Sequence, residues 1–158
     1  MKVNMYLHVA GVTGESTDAE HPQWIDVRSF YWCASQGGNT GIGERVGRAV
    51  FNDLIVRIVL DKAAPALLRF CASARHVNEV ELSLCTINQD VVECSRIVLE
   101  DVLVSKMDFV KETRNDAVYV TCGFRAAAVR HHYWSPMLQG VRGAESVAGW
   151  DIRQNKAL

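Results

Sequence analysis

The chain of 158 residues has a net charge of −1 and is 49% hydrophobic, which supports one domain, residues 1–158, with a core of its own. A chain of this length removes roughly 70% of its unfolded surface from water, so it needs no disulfide or metal in order to fold. Charges of both signs are mixed along the sequence, which argues against a nucleic-acid partner, and no apolar run is long enough for membrane insertion. The first residues lack the pattern of a signal peptide, so we expect the protein to fold in the cytoplasm.

The segment from Val3 to Ala10 alternates apolar and polar residues, which predicts a half-buried strand. The polar segment from Gly14 to Trp24 has no periodicity, which predicts a long ordered loop. Its ionisable side chains are an alternative set of metal ligands, although such residues more often form turns. They are Glu15, Asp18, Glu20 and His21.

A second strand is predicted from Trp24 to Ser35, and both of its faces carry large apolar groups. Simple alternation puts one set of its residues on a single face: Ile25, Val27, Ser29, Tyr31 and Cys33. A strand that is apolar on both faces is either enclosed in a core or covered by a partner chain.

The next segment, from Gln36 to Gly47, holds five glycines and is predicted to be an excursion between strands. It lacks the GKS or GKT ending of a phosphate-binding loop. The β-rich run from Arg48 to Leu60 follows, and Asn52 and Asp53 within it are interpreted as a bulge.

The segment from Leu60 to Val77 is predicted to be the one helix of the chain. Asp61 can cap its first amides, and Pro65 lies near the start, where a missing N–H costs little. Apolar residues then repeat at helical spacing: Leu67, Phe70, Cys71 and Ala74. So short a helix is marginal in water, so we expect this stripe to pack against the sheet.

A hairpin is predicted from strands Glu79 to Ile87 and Val91 to Val104, with Gln89 and Asp90 as its two loop residues. This register pairs Leu82 with Ile97, Val80 with Leu99, Ser83 with Arg96, and Cys85 with Cys94. The five cysteines are an odd number without a CxxC pair, which favours reduced thiols. Cys85 and Cys94 are nevertheless a possible disulfide once the protein leaves the cytoplasm.

The remaining chain is predicted to hold a charged connector from Lys106 to Asp116 and a long strand from Ala117 to Trp134. His131 and His132 are adjacent on that strand and point to opposite faces, so they cannot share a metal ion. Turns are predicted from Ser135 to Gly149, followed by a short strand from Gly149 to Gln154.

The sequence contains none of the common catalytic, nucleotide-binding or zinc motifs, which indicates a protein that is not an enzyme and uses no cofactor. Its five histidines are dispersed. A small metal-dependent β-barrel enzyme remains an alternative of another class, which metal analysis would test.

Four stretches occur in an order that resembles the hemolysin-coregulated protein (Hcp) family of the bacterial type VI secretion system. They are GESTDAEHPQWIDV, DKAAPALL, LEDVLVS and GWDIRQN, and the resemblance extends from about Val3 to Asn155. It implies a mainly β fold, a barrel of two packed sheets with one flanking α-helix. It also implies a homohexameric ring that stacks into a tube inside a contractile sheath, is capped by a spike protein, and is expelled without a signal peptide. A tube subunit of a related phage-tail-like machine is the alternative within this architecture.

The resemblance also assigns roles to particular residues. Ser29 and Tyr31 are expected to face the lumen, where small effector proteins travel, and Tyr31 stands where some members carry a serine. The glycine-rich loop is expected to contact the next ring through Gly37, Gly38, Asn39, Thr40 and Gly41.

Overall fold

The computed structural model describes residues 2–37, 47–87, 90–137 and 140–158. Within these ranges the chain forms ten strands and one helix. In chain order they are β1 (Val3–Val9), β2 (Ile25–Tyr31), β3 (Ala34–Gln36), β4 (Ala49–Phe51), β5 (Leu54–Val59), α1 (Ala64–Ser73), β6 (Val77–Ile87), β7 (Val91–Lys111), β8 (Val118–Pro136), β9 (Arg142–Asp151) and β10 (Lys156–Ala157).

Six of the described strands close into a barrel, which confirms the predicted mainly β fold. The strands run in the order β8-β5-β2-β1-β6-β7, and β7 pairs again with β8. β9 and β10 extend the same sheet beyond β8, whereas β3 and β4 form a separate two-stranded ribbon. The two layers of the barrel are therefore halves of one sheet that curves back on itself.

The core fills the inside of the barrel with side chains from alternate positions of each strand. On β5, for example, Leu54, Val56 and Ile58 are buried while Ile55 and Arg57 are only partly so. Phe124 on β8 is the largest of the fully buried side chains. Because the interior is filled with side chains, binding to other molecules has to use the outer surface or the ends.

The predicted helix is confirmed but is shorter than predicted, because α1 spans Ala64–Ser73. Asp61 accepts a hydrogen bond from the backbone N–H of Ala63 at 2.8 Å, and Pro65 lies in the first turn. Leu67 is fully buried in the barrel core. Ala74 has a φ of 54° and ends the helix in a left-handed turn, so it is not part of the apolar stripe.

Strand β7 is longer than predicted and continues to Lys111, through most of the segment predicted to be a connector. Met107 on this extension pairs with Cys122 of β8, and Phe109 pairs with Val120. The turns predicted from Ser135 to Gly149 are also wrong from Arg142 onward, because β9 begins there and pairs with β8. In both places the strand partner, rather than the local composition, determines the structure.

The predicted hairpin register is confirmed for Leu82, Val80 and Ser83 with their partners. It is wrong for Cys85, which pairs with Glu93 because the ladder shifts by one residue after Leu84. A β-bulge leaves Cys94 as the extra residue. Cys94 donates instead to the carbonyl oxygen of Leu84, at 3.4 Å.

Asn52 and Asp53 separate two strands of different sheets rather than forming a bulge within one strand. Asp53 accepts a hydrogen bond from Ser105 at 2.6 Å and pairs with Arg125 at 3.1 Å. These contacts fix the point at which the chain leaves the ribbon and enters the barrel.

Replacing Leu67 by alanine should lower the free energy of unfolding by about 2–5 kcal/mol, because it leaves a cavity where the helix docks on the barrel. The matched control is Leu68→Ala, since Leu68 is 48% exposed on the same helix and should change stability by about 0.5 kcal/mol or less. Urea denaturation of both variants measures the difference. Equal losses would show that α1 does not depend on its apolar stripe.

Candidate assembly surface

Ser29 and Tyr31 lie on the outer face of the barrel, and a bulge in β2 puts them there. Val27 pairs with Ile58 but Ser29 pairs with Arg57, so Arg28 is the extra residue. The shift moves Ser29 and Tyr31 to the face opposite the buried Val27. The prediction that Ser29 and Tyr31 share a face with Ile25 and Val27 is therefore wrong. The side chains of Ser29 and Tyr31 are both exposed, that of Tyr31 by 60%.

The two residues belong to a larger outer surface on β2, β5 and β8, which we call the wall patch. Tyr31 pairs with Ile55 and Ser29 with Arg57, and the Arg57 guanidinium lies 4.0 Å from the centre of the Tyr119 ring. Arg57 is also ion-paired with Glu112, so its position is fixed from two sides. The wall patch consists of Ser29, Tyr31, Ile55, Arg57 and Tyr119.

The phenol of Tyr31 contributes a neutral hydrogen-bonding group to the wall patch. A hydrogen bond with Cys33 raises the pKa of Tyr31 above its ordinary value. The side chain therefore offers an apolar ring and a protonated hydroxyl to whatever contacts it.

Of the residues expected to contact the next ring, Gly37 lies in the described part of the chain, directly after β3. Its N–H donates to the carbonyl oxygen of Arg48 at 3.0 Å, and a Cβ there would lie 2.5 Å from a methyl group of Val50. Glycine is therefore required for the close approach of the two ribbon strands. Gly38, Asn39, Thr40 and Gly41 lie outside the described residues.

The segment from Gly14 to Trp24 is an ordered loop, as predicted, and it packs on the outer wall over β1 and β6. His21 is only 4% exposed, stacked on Tyr6 with ring centres 4.6 Å apart and edge-on to Trp24 at 4.7 Å. Its Nδ1 lies 2.7 Å from Asp18 Oδ2 and its Nε2 lies 3.0 Å from Ser83 Oγ. The aromatic stack and these two hydrogen bonds hold the loop against the barrel.

The Asp18, His21 and Ser83 side chains have the hydrogen-bond order of a serine hydrolase triad, but this arrangement is structural. Ser83 is 0% exposed, so a substrate cannot reach its hydroxyl. The hydroxyl also donates to the carboxylate of Glu93, which occupies the proton that a nucleophile would give to the base. Glu93 in turn pairs with Arg96 at 2.8 Å and with Arg142 at 3.0 Å.

The alternative metal-ligand set is not brought together, since Asp18 and His21 bind each other while Glu15 accepts from the N–H of Lys62. Within residues 2–37, 47–87, 90–137 and 140–158, no group of three or more such side chains could hold a metal ion. The same ranges contain no helix that is long and apolar enough to cross a membrane.

The two cysteines proposed as a disulfide are both free thiols in the described structure. Burial raises the pKa of Cys85 to about 11 and also raises that of Cys94. Thiolates are the reactive form, so both groups are poorly reactive while the barrel is folded. The shifted register contradicts the direct cross-strand pairing of Cys85 with Cys94, and the disulfide itself stays a prediction.

The chain matches a known protein family. The sequence profile described as "Type VI secretion system effector, Hcp" matches residues 6–133, which is most of the chain. The chain belongs to the Hcp family of type VI secretion. It is therefore a tube and effector protein of that system and a structural protein rather than an enzyme.

Individual relatives and solved structures match nearly the whole chain. It is 31% identical over 159 residues to "Protein hcp1" of Pseudomonas aeruginosa, with 98% of each chain covered. A solved structure titled "Structure of a type six secretion system protein" has a TM-score of 0.91 and 26% identity, over 99% of this chain and 100% of that one. Hcp1 from Salmonella typhimurium, with a TM-score of 0.84 and 24% identity over all of both chains, shares the fold.

Asp18→Asn should lower stability at neutral pH by about 1 kcal/mol, or about 3 °C in melting temperature, because it removes the charge that strengthens the hydrogen bond to His21. Burial alone would raise the pKa of Asp18, but hydrogen bonds from His21 and from the N–H of Glu20 lower it overall. A lowered pKa gives stability that is complete above the unfolded value of about 3.9 and is lost as pH falls through the folded value.

The gap in melting temperature between wild type and Asp18→Asn should therefore narrow below about pH 4. Thermal melts at pH 7 and pH 3 measure it. Asp108→Asn is the control, since the exposed Asp108–Lys106 pair should contribute little at either pH. An equal difference in melting temperature at pH 7 and pH 3 would contradict the role given to the Asp18 charge.

Proposed function

We propose that this protein is the subunit of the inner tube of a type VI secretion system. Six copies form a ring, and rings stack inside a contractile sheath beneath a spike protein. The tube is expelled from the cell without a signal peptide, and small effectors travel in its lumen. The observation that carries this proposal is the agreement with a solved type VI secretion protein over 99% of the chain at a TM-score of 0.91.

The exposed apolar side chains support self-association. Phe109 and Val110 near the end of β7 are 49% and 47% exposed, and Val147 on β9 is 54% exposed. Large apolar side chains that remain this exposed favour burial against another chain. A net charge of −1 also does little to keep identical copies apart. A ring needs heterologous contacts between identical subunits, with a rotation that closes.

The wall patch is the part of this surface that we assign to the lumen. Ser29 and Tyr31 are its most accessible members, and the aromatic ring of Tyr31 gives a partner a large rigid contact at little cost in conformational entropy. Beside it, the Arg57 guanidinium is stacked on the Tyr119 ring and paired with Glu112. Such a surface suits a cargo that presents apolar groups with hydrogen-bond acceptors.

Electron microscopy of the purified protein tests the assembly directly. Six-fold rings are the expected result, and mass photometry should give the mass of six subunits. In the producing bacterium, the protein should enter the culture medium only when the sheath genes are intact. A monomer that persists at high concentration would contradict the proposed function.

Tyr31→Ser should weaken the binding of a small effector of the same system to the rings by about tenfold, because it removes the largest exposed contact of the wall patch. Stability should change by about 0.5 kcal/mol or less, since the side chain is 60% exposed. Titration of the effector into purified rings, followed by calorimetry, measures the affinity.

The matched control is Tyr133→Ser, which removes a tyrosine that is 44% exposed on β8 and lies outside the wall patch. Its affinity for the effector should equal that of the wild type. Equal weakening by both substitutions would show that the wall patch does not hold the cargo.

A further inference from the structure

The ribbon formed by β3 and β4 has no strand hydrogen bonds to the barrel in the described part of the chain. Its base is packed, because Trp32 and Phe51 have ring centres 6.0 Å apart and contact the core. Next to this base, a cavity of about 470 Å³ lies between the ribbon and strands β8 and β9. The cavity is lined by Trp32, Gln36, Phe51, Val129, Ala148 and Trp150, among others. Dense packing therefore cannot fix the orientation of the outer part of the ribbon.

Polar contacts with the C-terminal turn supply what packing does not. One Arg48 amino group donates to the carbonyl oxygens of Ile152 and Arg153, at 3.1 and 2.7 Å. The Oδ1 of Asn155 accepts from the backbone N–H of Ala49 at 3.1 Å. These three hydrogen bonds join residues more than 100 positions apart in sequence. We call them the ribbon clamp.

The turn that receives the clamp is itself fixed to the barrel. Ile152 donates its N–H to the carbonyl oxygen of Ala127 at 2.9 Å, and Arg153 is ion-paired with Asp101. Asp151 accepts from the N–H of Gln154 at 2.9 Å, which closes the turn. Asn155 has a φ of 52°, a left-handed conformation that asparagine tolerates better than most residues.

We propose that the turn from 152 to 155 positions the ribbon for contact with the next ring, and that Arg48 and Asn155 are the positioning residues. The inference rests on the proposed function, since β3 and β4 flank the loop assigned to ring stacking. Orienting the ribbon in advance lowers the entropy that a ring must lose when it binds another ring. A ring without the clamp should form normally but stack poorly.

Two substitutions release the clamp without straining the backbone. Asn155→Gly removes the acceptor for Ala49 and keeps the left-handed turn, because glycine adopts positive φ freely. Arg48→Ala removes the other two hydrogen bonds. Asn155→Asp and Arg48→Lys are the matched conservative variants, because the first keeps an acceptor oxygen and the second keeps a cationic donor.

Hydrogen exchange and electron microscopy give separate readouts. In Asn155→Gly and Arg48→Ala, the amides of Ala34–Gln36 and Ala49–Phe51 should exchange on the order of tenfold faster, while those of β7 and β8 do not change. The number of six-subunit rings should stay constant, and the concentration at which rings stack should rise about tenfold. Asn155→Asp should have the same exchange rates and stacking concentration as the wild type. Arg48→Lys should give values between those of the wild type and those of Arg48→Ala.

Each outcome separates the inference from the proposed function. Unchanged exchange in the ribbon, or faster exchange with unchanged stacking, overturns the positioning role of Arg48 and Asn155. Loss of rings with a lower melting temperature also overturns it, because that result indicates a purely structural role. Wild-type protein that forms no rings overturns the proposed function, and ribbon exchange then remains the test of the clamp.

Discussion

The pairing of β7 with β8 is the constraint on which the rest of the structure depends. These strands are 21 and 19 residues long, and their ladder extends from Ser95–Tyr133 to Lys111–Val118. Without that ladder the sheet would be open, with β7 as a long exposed edge that could pair with other chains. Closure encloses one core, against which Leu67 docks the helix. Among the described residues, edge pairing is thereby left to the ribbon, to the short β10 and to the part of β9 that β10 does not cover.

Closure also explains which parts of the fold could be predicted from the sequence. Alternation identified β1 and β8, because each has one face in the filled interior. The charged end of β7 does not show this pattern clearly, and it is a strand because β8 continues beside it. The hairpin register was correct from Val80 to Ser83, where the buried and exposed faces differ most in polarity.

Bulges were the main source of error in the predicted site. A bulge cannot be recognised by counting alternate residues along a strand. The extra residue Arg28 therefore puts Ser29 and Tyr31 on the face opposite to the predicted one. The extra residue Cys94 likewise removed the predicted partner of Cys85. The ribbon clamp and the contact of His21 with Ser83 could not be predicted either, because they join distant segments through single side chains.

Two parts of the outer wall show how this chain divides its surface. The outward side chains of Tyr6 and Ser83 are 7% and 0% exposed because the loop from Gly14 to Trp24 covers them. His21 of that loop is stacked on Tyr6 and hydrogen-bonded to Ser83. At Ser29 and Tyr31, outward side chains remain exposed. The chain's own loop thus covers one part of the outer face and leaves the other part exposed to solvent. Burying apolar surface in the exposed part would therefore contribute most to the binding of another molecule. This contrast supports the proposal that the wall patch binds cargo, because no part of the described chain packs over it.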